Sequence, residues 1–337
     1  MGQVFYKGLV FLPPESSYAA GQVIFGVPVT EVARESGPPM PFALVRPEGG
    51  YLRDHCLLYS HGNAEDLGQT VPLLVRLAEE FGISAACYDY QGYGPSRGAA
   101  QPNEDRCYRD ARTAYEHLCV AEGFERRKVV LFGRSLGSGP TVELARALSQ
   151  GAGEEHRFAG VVLQSPLTSA VSVVSETLSA MVGDMFENLR KLPSVRRPVL
   201  IVHGTEDRVV PLAHGQQLAN ALRVADAHLD EPRRRLFHFQ QIDGAGHNDI
   251  EALHWIGLRD ALSAFFQHLK THEAAEADLA DFWIGATPSS SSFLASLFSS
   301  PASSSSSSTT APRSPRSTVP SSSATSEILP PPSPERK

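Results

Sequence analysis

The segment Gly133-Arg134-Ser135-Leu136-Gly137 places a serine between two glycines, directly after an apolar run and before a helix-length segment. In a strand, turn and helix setting, this G-x-S-x-G pattern is typical of a nucleophile elbow, whose sharp turn projects the serine hydroxyl above the edge of a sheet. The N-terminus of the following helix offers free N–H groups and partial positive charge to a developing oxyanion. The pattern therefore predicts that Ser135 is a nucleophile for acyl transfer.

A serine hydroxyl needs a general base at neutral pH, and the base needs an acid to hold its tautomer. Asp207 follows a predicted strand at its carboxyl end, where α/β sheets build their sites, and His247 lies in a glycine-rich loop after the last predicted strand. The chain order Ser135, Asp207, His247 is the one that this kind of elbow uses. Glu206 is the adjacent alternative acid, and the His-Gly-x-x-Asp register favours Asp207.

An oxyanion hole needs two N–H donors, one after the nucleophile and one in the loop after an early strand. We expect the backbone N–H groups of Leu136 and Asn63 to provide them. His61 and His203 end strands before glycines, and we expect them to brace loops by hydrogen bonds. The sequence predicts no metal site and no organic cofactor.

Charge and cysteine usage restrict the class of protein. The formal net charge of the 337 residues is −7, which disfavours a nucleic acid partner. The four cysteines, Cys56, Cys87, Cys107 and Cys119, show no metal-ligand spacing, and two of them lie in apolar strand-like runs. A reducing, cytoplasmic compartment fits this pattern.

No stretch of the sequence approaches the length of a membrane-spanning helix, and the N-terminus lacks the basic-then-apolar layout of a secretory signal. It begins Met-Gly-Gln, so Gly2 would accept a myristoyl group after removal of Met1, although Tyr6 stands where Ser or Thr is preferred. An unmodified N-terminus is the alternative. A single myristoyl chain gives only marginal membrane binding, with an association constant of about 10⁴ M⁻¹.

After Asp54 short apolar runs alternate with helix-length amphipathic segments, which predicts a mostly parallel sheet flanked by helices. Two earlier strands, Gln22–Val29 and Phe42–Arg46, are predicted to form a hairpin. Helices are expected at Leu67–Phe81, Glu104–Ala121, Ser138–Ser149, Leu212–Leu222 and from about Asp249 to Leu269. With the elbow, this order of elements predicts an α/β-hydrolase fold.

The chain is predicted to hold one catalytic domain, residues 22–272, after a membrane-proximal N-terminal segment, residues 1–21. Residues 273–337 are rich in Ser and Pro and are predicted to be a mostly disordered tail, with phosphorylation at Ser-Pro pairs as its alternative role. The stretch between the strands at Val161 and Val199 is too short for a large cap, so we expect a minimal cap and an open site.

Apolar residues in that stretch are candidates for a wall against an acyl chain. Packing in the core is the equal alternative for them. The candidate residues are Leu167, Met181, Met185 and Phe186, with Val173 and Leu178.

Six segments together resemble the alpha/beta hydrolase domain-containing protein 17 family of protein depalmitoylases. They are Phe11–Glu15 with Tyr18, Ser60–Gln69, Tyr88–Gly94, Ser165–Ser169, His203–Asp207 and Gly244–Asp249. The resemblance spans Leu9 to about Leu269 and implies a membrane-associated thioesterase that removes acyl chains from protein cysteines. That family also carries an acylated N-terminal cysteine cluster, whereas this chain has no cysteine before Cys56.

We therefore expect a serine hydrolase acting on S-acylated proteins, peripheral on the cytosolic face of membranes. A carboxylesterase or lipid esterase for small substrates is one alternative. An inactive hydrolase-fold scaffold, whose tail recruits partners, is the other. The sequence does not indicate the oligomeric state.

Overall fold

Nine strands form one sheet in the part of the chain that the computed structural model describes, residues 10–47, 55–170, 184–229 and 236–285. They are β1 (Val23–Ile24), β2 (Val27–Val32), β3 (Met40–Val45), β4 (Cys56–Ser60), β5 (Ser84–Tyr88), β6 (Val129–Arg134), β7 (Gly160–Gln164), β8 (Val199–Gly204) and β9 (Phe237–Ile242). Their order across the sheet is β1-β2-β3-β5-β4-β6-β7-β8-β9. Strands β1, β2 and β3 pair antiparallel, β3 is antiparallel to β5, and the remaining pairs are parallel. The predicted mostly parallel sheet is confirmed.

The helices flank this sheet. They are α1 (Leu67–Phe81), α2 (Glu104–Glu116), α3 (Ser138–Gln150), α4 (Asn188–Lys191), α5 (Leu212–Asp226), α6 (Ile250–Leu253) and α7 (Trp255–Gly285). Helix α1 has the predicted bounds because the Asp66 carboxylate accepts a hydrogen bond from the backbone N–H of Gln69 and Gly82 ends the helix with φ 62°. Helix α2 is shorter than predicted, since the chain continues from His117 to Ala121 as a π-helical turn.

Each face of the sheet buries its own apolar core. Successive strand residues point to opposite faces, so in β6 Leu131 packs with side chains of α2, α3 and α5, while Val130 and Phe132 pack with those of α1 and α7. Full burial of such a side chain contributes roughly 1.5–3 kcal/mol to stability. Because helices cover both faces of the sheet, the parallel strands have apolar residues at successive positions of the sequence.

The predicted strand Gln22–Val29 is wrong as a single element. The chain turns at Phe25 and Gly26, whose φ values are 47° and 78°, and β1 pairs back onto β2 with Ile24 opposite Val27. Two consecutive residues with positive φ form the tight connection that matches the twist of a two-stranded ribbon. Alternating apolar residues on both sides of the turn made the two short strands look continuous.

The C-terminal helix also differs from the prediction. It is interrupted at His254, which separates α6 from α7, and α7 continues to Gly285. Residues 273–285, predicted as the start of the tail, are therefore helical, while the rest of the predicted tail lies outside the described residues. The chain divides into two compact units, residues 1–280 and 281–337. The domain boundaries at residues 21 and 272 stay predictions.

The described part of the N-terminal segment packs on the sheet domain. Phe11 and Tyr18 are buried, at 5% and 6% exposure, and Ser17 donates from its backbone N–H and its hydroxyl to Asp66. Residues 1–9, which include Gly2, lie outside the described residues. No helix in the described part of the chain is both long enough and apolar enough to cross a bilayer.

Candidate active site

The predicted elbow is present at the carboxyl end of β6. The strand ends at Arg134, residues Ser135 to Gly137 form one 3₁₀ turn, and α3 begins at Ser138. Ser135 has φ 51°, a left-handed conformation that costs a serine on the order of 1–3 kcal/mol. The surrounding packing maintains this strain, which aims the hydroxyl out of the sheet edge.

Both glycines of the elbow lie too close to neighbouring backbone to carry a side chain. A Cβ on Gly137 would lie 2.0 Å from the carbonyl oxygen of Ser60, and a Cβ on Gly133 would lie 2.6 Å from the carbonyl oxygen of Gly137. Any side chain at these positions would push the elbow away from the end of β4. The loop that follows β4, which carries Asn63, is thereby held beside the elbow.

His247 connects Ser135 and Asp207 by two hydrogen bonds. Its Nδ1 lies 2.7 Å from Asp207 Oδ2, and its Nε2 lies 3.0 Å from Ser135 Oγ. A carboxylate facing Nδ1 selects the tautomer that carries the proton there, which leaves Nε2 as the acceptor for the serine hydroxyl. All three residues are at least nine-tenths buried. The structure thus brings together the three residues that the sequence singled out.

The surroundings of Asp207 keep its carboxyl ionised. Its Oδ1 accepts hydrogen bonds from the backbone N–H groups of Val209 and Val210 at 2.9 and 2.8 Å, and His203 Nε2 lies 3.4 Å from its Oδ2. Burial favours the neutral acid, but the hydrogen bonds from His203 and His247 outweigh burial and hold the pKa of Asp207 well below its usual range. A permanently charged acid is what an imidazolium intermediate needs as its partner.

Two backbone hydrogen bonds join the loops that carry the acid and the base. Thr205 N–H donates to the carbonyl of Ile242 at 3.0 Å, and Glu206 N–H donates to the carbonyl of Ala245 at 2.9 Å. This register turns the Glu206 side chain to solvent and the Asp207 carboxylate toward His247. The geometry therefore selects Asp207 over its neighbour.

Sequence reasoning missed the role of Arg134, the variable residue of the elbow motif. Its guanidinium forms ion pairs with Glu65 and, at 3.0 Å, with Glu251. It also donates to the carbonyl of His247 at 3.2 Å and to Asn248 Oδ1 at 3.0 Å. One side chain thus links the elbow, the loop after β4 and the histidine loop. A cation in the elbow motif was the only signal in the sequence.

The Asn63 side chain is fixed by three hydrogen bonds. Its Oδ1 accepts from Leu12 N–H at 2.8 Å and from the hydroxyl of Tyr93 at 2.7 Å, and its Nδ2 donates to the carbonyl of Val10. Among the described residues no hydrogen bond occupies the backbone N–H of Asn63. Leu136 N–H lies in the first turn after β6, where helix donors lack a partner within the helix. Their role as the oxyanion hole stays a prediction.

His61 and His203 brace loops as expected. His61 Nδ1 lies 2.7 Å from the carbonyl of Gly62, and its Nε2 lies 3.3 Å from Asp89. His203 Nε2–H donates to the carbonyl of Val210 at 2.8 Å, at the end of the loop that carries the acid. Asp89, which sequence reasoning did not select, also accepts hydrogen bonds from the Tyr18 hydroxyl and from the first N–H of α1.

The described candidates for the acyl wall lie in the core. Leu167, Met185 and Phe186 are exposed by 4%, 8% and 0%, and Phe186 packs edge-on against Phe11 and Tyr108. Their burial matches the alternative that the sequence left open, because a fully buried ring presents no surface to a substrate. Met181, Val173 and Leu178 lie outside the described residues.

Asn188 ties the segment after β7 to the elbow. Its Nδ2 donates to Ser138 Oγ at 3.0 Å and to the carbonyl of Leu167 at 2.9 Å, and Ser138 Oγ–H donates to the carbonyl of Ser135 at 2.6 Å. Asn188 and Ser138 are fully buried. Within the described residues no group of three or more His, Cys, Asp or Glu side chains could hold a metal ion.

Curated relatives place the chain in a family. It is 34% identical over 240 residues to alpha/beta hydrolase domain-containing protein 17C of Mus musculus, an alignment that covers 71% of this chain and 67% of that protein. The chain belongs to the alpha/beta hydrolase domain-containing protein 17 family. It is 36% identical over 198 residues to the 17B protein of Homo sapiens, covering 58% of this chain and 62% of that relative's length.

A broader family model matches part of the chain, and solved structures share its fold. The model described as serine aminopeptidase, S33, matches residues 53–190. An esterase of the planctomycete Thermogutta terrifontis, solved with propionate bound, has TM-score 0.56 at 18% identity over 75% of this chain and 97% of its own. An alpha-beta hydrolase from Vibrio vulnificus has TM-score 0.55 at 18% identity over 70% and 80%. The predicted α/β-hydrolase fold is confirmed.

Proposed function

We propose that this chain is a serine hydrolase that cleaves acyl thioesters or esters through an acyl-enzyme. The observation that carries the proposal is the line of hydrogen bonds from Ser135 through His247 to Asp207. As Ser135 Oγ bonds to the acyl carbon, its proton passes to His247 Nε2, and the N–H groups of Asn63 and Leu136 receive the oxyanion. His247 then gives the proton to the leaving sulfur or oxygen, and water repeats both steps to release the acid.

The substrates we propose are S-acylated proteins. The first support is membership of the 17 family. The sequence resembles this family as a group of protein depalmitoylases. The second is the exposure of two apolar side chains, Leu12 (58%) and Val209 (53%), whose backbone N–H groups bond to the side chains of Asn63 and Asp207. Exposed apolar side chains on the segments that hold Asn63 and Asp207 suit an acyl chain that enters from a protein surface.

Covalent labelling tests the hydrolase. A fluorophosphonate probe should label the wild-type chain and fail to label Ser135→Ala, while Ser169→Ala, a second buried serine outside the triad, should keep the label. Labelling of Ser135→Ala at the wild-type rate would overturn the proposal. If the probe does not label the folded wild-type chain, the result favours the alternative of an inactive scaffold.

A pair of substrates tests the thioesterase. Release of palmitate from a peptide acylated on cysteine should exceed hydrolysis of a short-chain ester in kcat/KM, and both should be lost in Ser135→Ala. The Thermogutta esterase bound to propionate suggests the alternative, an esterase for small substrates. Turnover of the short ester without release of palmitate would favour that alternative.

We propose a peripheral position on the cytosolic face of a membrane. Four cysteines without disulfide bonds fit a reducing compartment. Myristoylation of Gly2 stays a prediction, and Gly2→Ala tests it through incorporation of a myristate analogue and through the membrane fraction of the expressed chain. Equal labelling of Gly2→Ala and wild type would contradict the modification.

A further inference from the structure

Residues 10–18 of the N-terminal segment, called the strap below, contact the first turn of α1. The strap contains no strand and, after its first residue, no helix, so individual contacts hold it in place. Asp66, the residue that caps α1, accepts hydrogen bonds from the backbone N–H and the hydroxyl of Ser17, at 2.6 and 2.5 Å. A Cβ on Gly68 would lie 2.3 Å from Ser17 Oγ and 2.9 Å from Tyr18 Cδ1. The strap is therefore packed tightly against this turn.

The hydroxyl of Tyr18 fixes the end of the strap by donating to Asp89. Burial and the facing Asp89 carboxylate raise the pKa of Tyr18, so the hydroxyl keeps the proton that it donates. Asp89 Oδ1 also accepts from Leu67 N–H at 2.7 Å and lies 3.3 Å from His61 Nε2. One carboxylate thus joins the strap, α1 and the start of the loop that carries Asn63.

The other end of the strap holds the side chain of Asn63. Two of the three hydrogen bonds of this side chain go to strap backbone: Leu12 N–H donates to Oδ1 at 2.8 Å, and Nδ2 donates to the carbonyl of Val10. Phe11, between these two residues, is 5% exposed and packs edge-on against Phe186 with 5.9 Å between ring centroids. The strap is therefore anchored in the core at the point where it binds Asn63.

The contacts of Asn63 matter because an oxyanion donor depends on precise placement. A donor N–H must lie about 2.7–3.1 Å from the negative oxygen. The side chain of Asn63 leaves the same Cα as its backbone N–H, so hydrogen bonds that fix the amide group also restrict the orientation of that N–H. Pro13 and Pro14 follow directly and restrict the strap backbone before it docks, which lowers the entropy cost of ordering it.

We propose that the strap is a positioning element of the oxyanion hole, which holds Asn63 so that its backbone N–H faces the oxyanion. The inference rests on the proposed function, because it gives the strap a part in that reaction. Asn63 N–H contacts the reacting oxygen, and the strap acts through it. Loss of strap contacts should lower kcat and leave KM nearly unchanged, since the oxyanion forms only after substrate has bound.

A pair of substitutions at Leu12 tests the hydrogen bond to Asn63. Leu12→Pro removes the side chain and the backbone N–H, whereas Leu12→Ala removes the side chain and keeps the N–H. On a short-chain ester we expect kcat of Leu12→Pro to lie about tenfold below that of Leu12→Ala. Each rate is divided by the number of sites titrated with the fluorophosphonate probe, so unfolded molecules are not counted. Glu15→Gln, a strap residue whose side chain is 87% exposed and pairs with Arg97, should keep the wild-type kcat.

The same pair in an Asn63→Ala background tests whether the strap acts through Asn63. This substitution keeps the backbone N–H of residue 63 and removes the side chain that the strap holds. The tenfold difference between Leu12→Pro and Leu12→Ala should then disappear. A difference that persists without the Asn63 side chain would overturn the proposal, as would equal kcat values for the pair when Asn63 is present.

Tyr18→Phe tests the other end of the strap and decides the question if Leu12→Pro does not fold. The ring stays in place while the hydrogen bond to Asp89 is lost, and we expect kcat per titrated site to fall by about threefold or more. Fewer titrated sites with an unchanged kcat would show a purely structural role and would overturn the proposal. A wild-type chain that takes no label would instead overturn the proposed function, and the role of the strap with it.

Discussion

Gly137 lies so close to Ser60 that a methyl group on the glycine would lie 2.0 Å from the serine carbonyl oxygen. This contact joins the turn that carries Ser135 to the end of β4. It also sets the distance between Leu136, which follows the nucleophile, and the loop that carries Asn63. The elbow is therefore defined by a neighbouring strand as much as by its own backbone.

Gly137→Ala should damage activity and stability together. The added carbon must displace the elbow or β4, so we expect hydrolysis to fall by about 10²-fold or more and stability by about 1–3 kcal/mol. Gly257→Ala is the control, because its Cβ would meet its nearest neighbour at 3.4 Å and would favour the helix. Urea denaturation and ester hydrolysis provide the measurements. A Gly137→Ala enzyme with wild-type activity would refute the close contact.

Asp207→Asn should lower kcat by about 10⁴-fold, because an amide no longer stabilises the imidazolium that forms at His247. Glu206→Gln changes the adjacent residue in the same way and should leave kcat within about twofold, since its side chain faces solvent. Initial rates on one ester decide between them. An equal loss in both variants would mean that the acid has been assigned to the wrong residue.

Asp207 should also make stability depend on acidity. Its folded pKa lies below the unfolded value of 3.8, so the ionised carboxylate stabilises the fold fully above that pH. As the pH falls below about 4 the unfolded chain binds the proton first, and this contribution declines by up to about 1.4 kcal/mol per pH unit. We expect the free energy of unfolding of Asp207→Asn to fall less steeply than that of wild type over this range. Parallel slopes from chemical denaturation would contradict the prediction.

Arg134→Gln should separate the histidine loop from the elbow. Removal of the cation deprives the Glu65 and Glu251 carboxylates, which are 22% and 18% exposed, of their shared partner, which costs about 3–5 kcal/mol if no rearrangement occurs. We expect kcat to fall by about 10²-fold with little change in KM, because the loop carries the base. Arg134→Lys should recover part of the loss, and Arg259→Gln, which removes an exposed arginine of α7, should have no effect.

A purely structural role for Arg134 would give a different result. The enzyme would lose active molecules without a change in kcat per folded molecule. Titration of active sites with the fluorophosphonate probe, at a temperature where circular dichroism shows native helix content, distinguishes these outcomes.

Local patterns were enough for the nucleophile, the base and the sheet, because each depends on residues near one another in the chain. For the acid they favoured Asp207 over its neighbour Glu206 without excluding the second. The helix over Leu67–Phe81 was readable from its apolar stripe and its terminal residues. Ser135 was readable from a strand, a turn and a helix in succession. The β1–β2 hairpin was missed because alternating apolar residues on both sides of Phe25 resemble one strand.

The sequence by itself determined the fold class and the order of the three chemical groups. Only the tertiary structure decided between Asp207 and Glu206 and placed Arg134 between the loops at residues 65 and 247. The physical reason is separation along the chain: the register of β8 on β9 brings together residues that no local pattern connects.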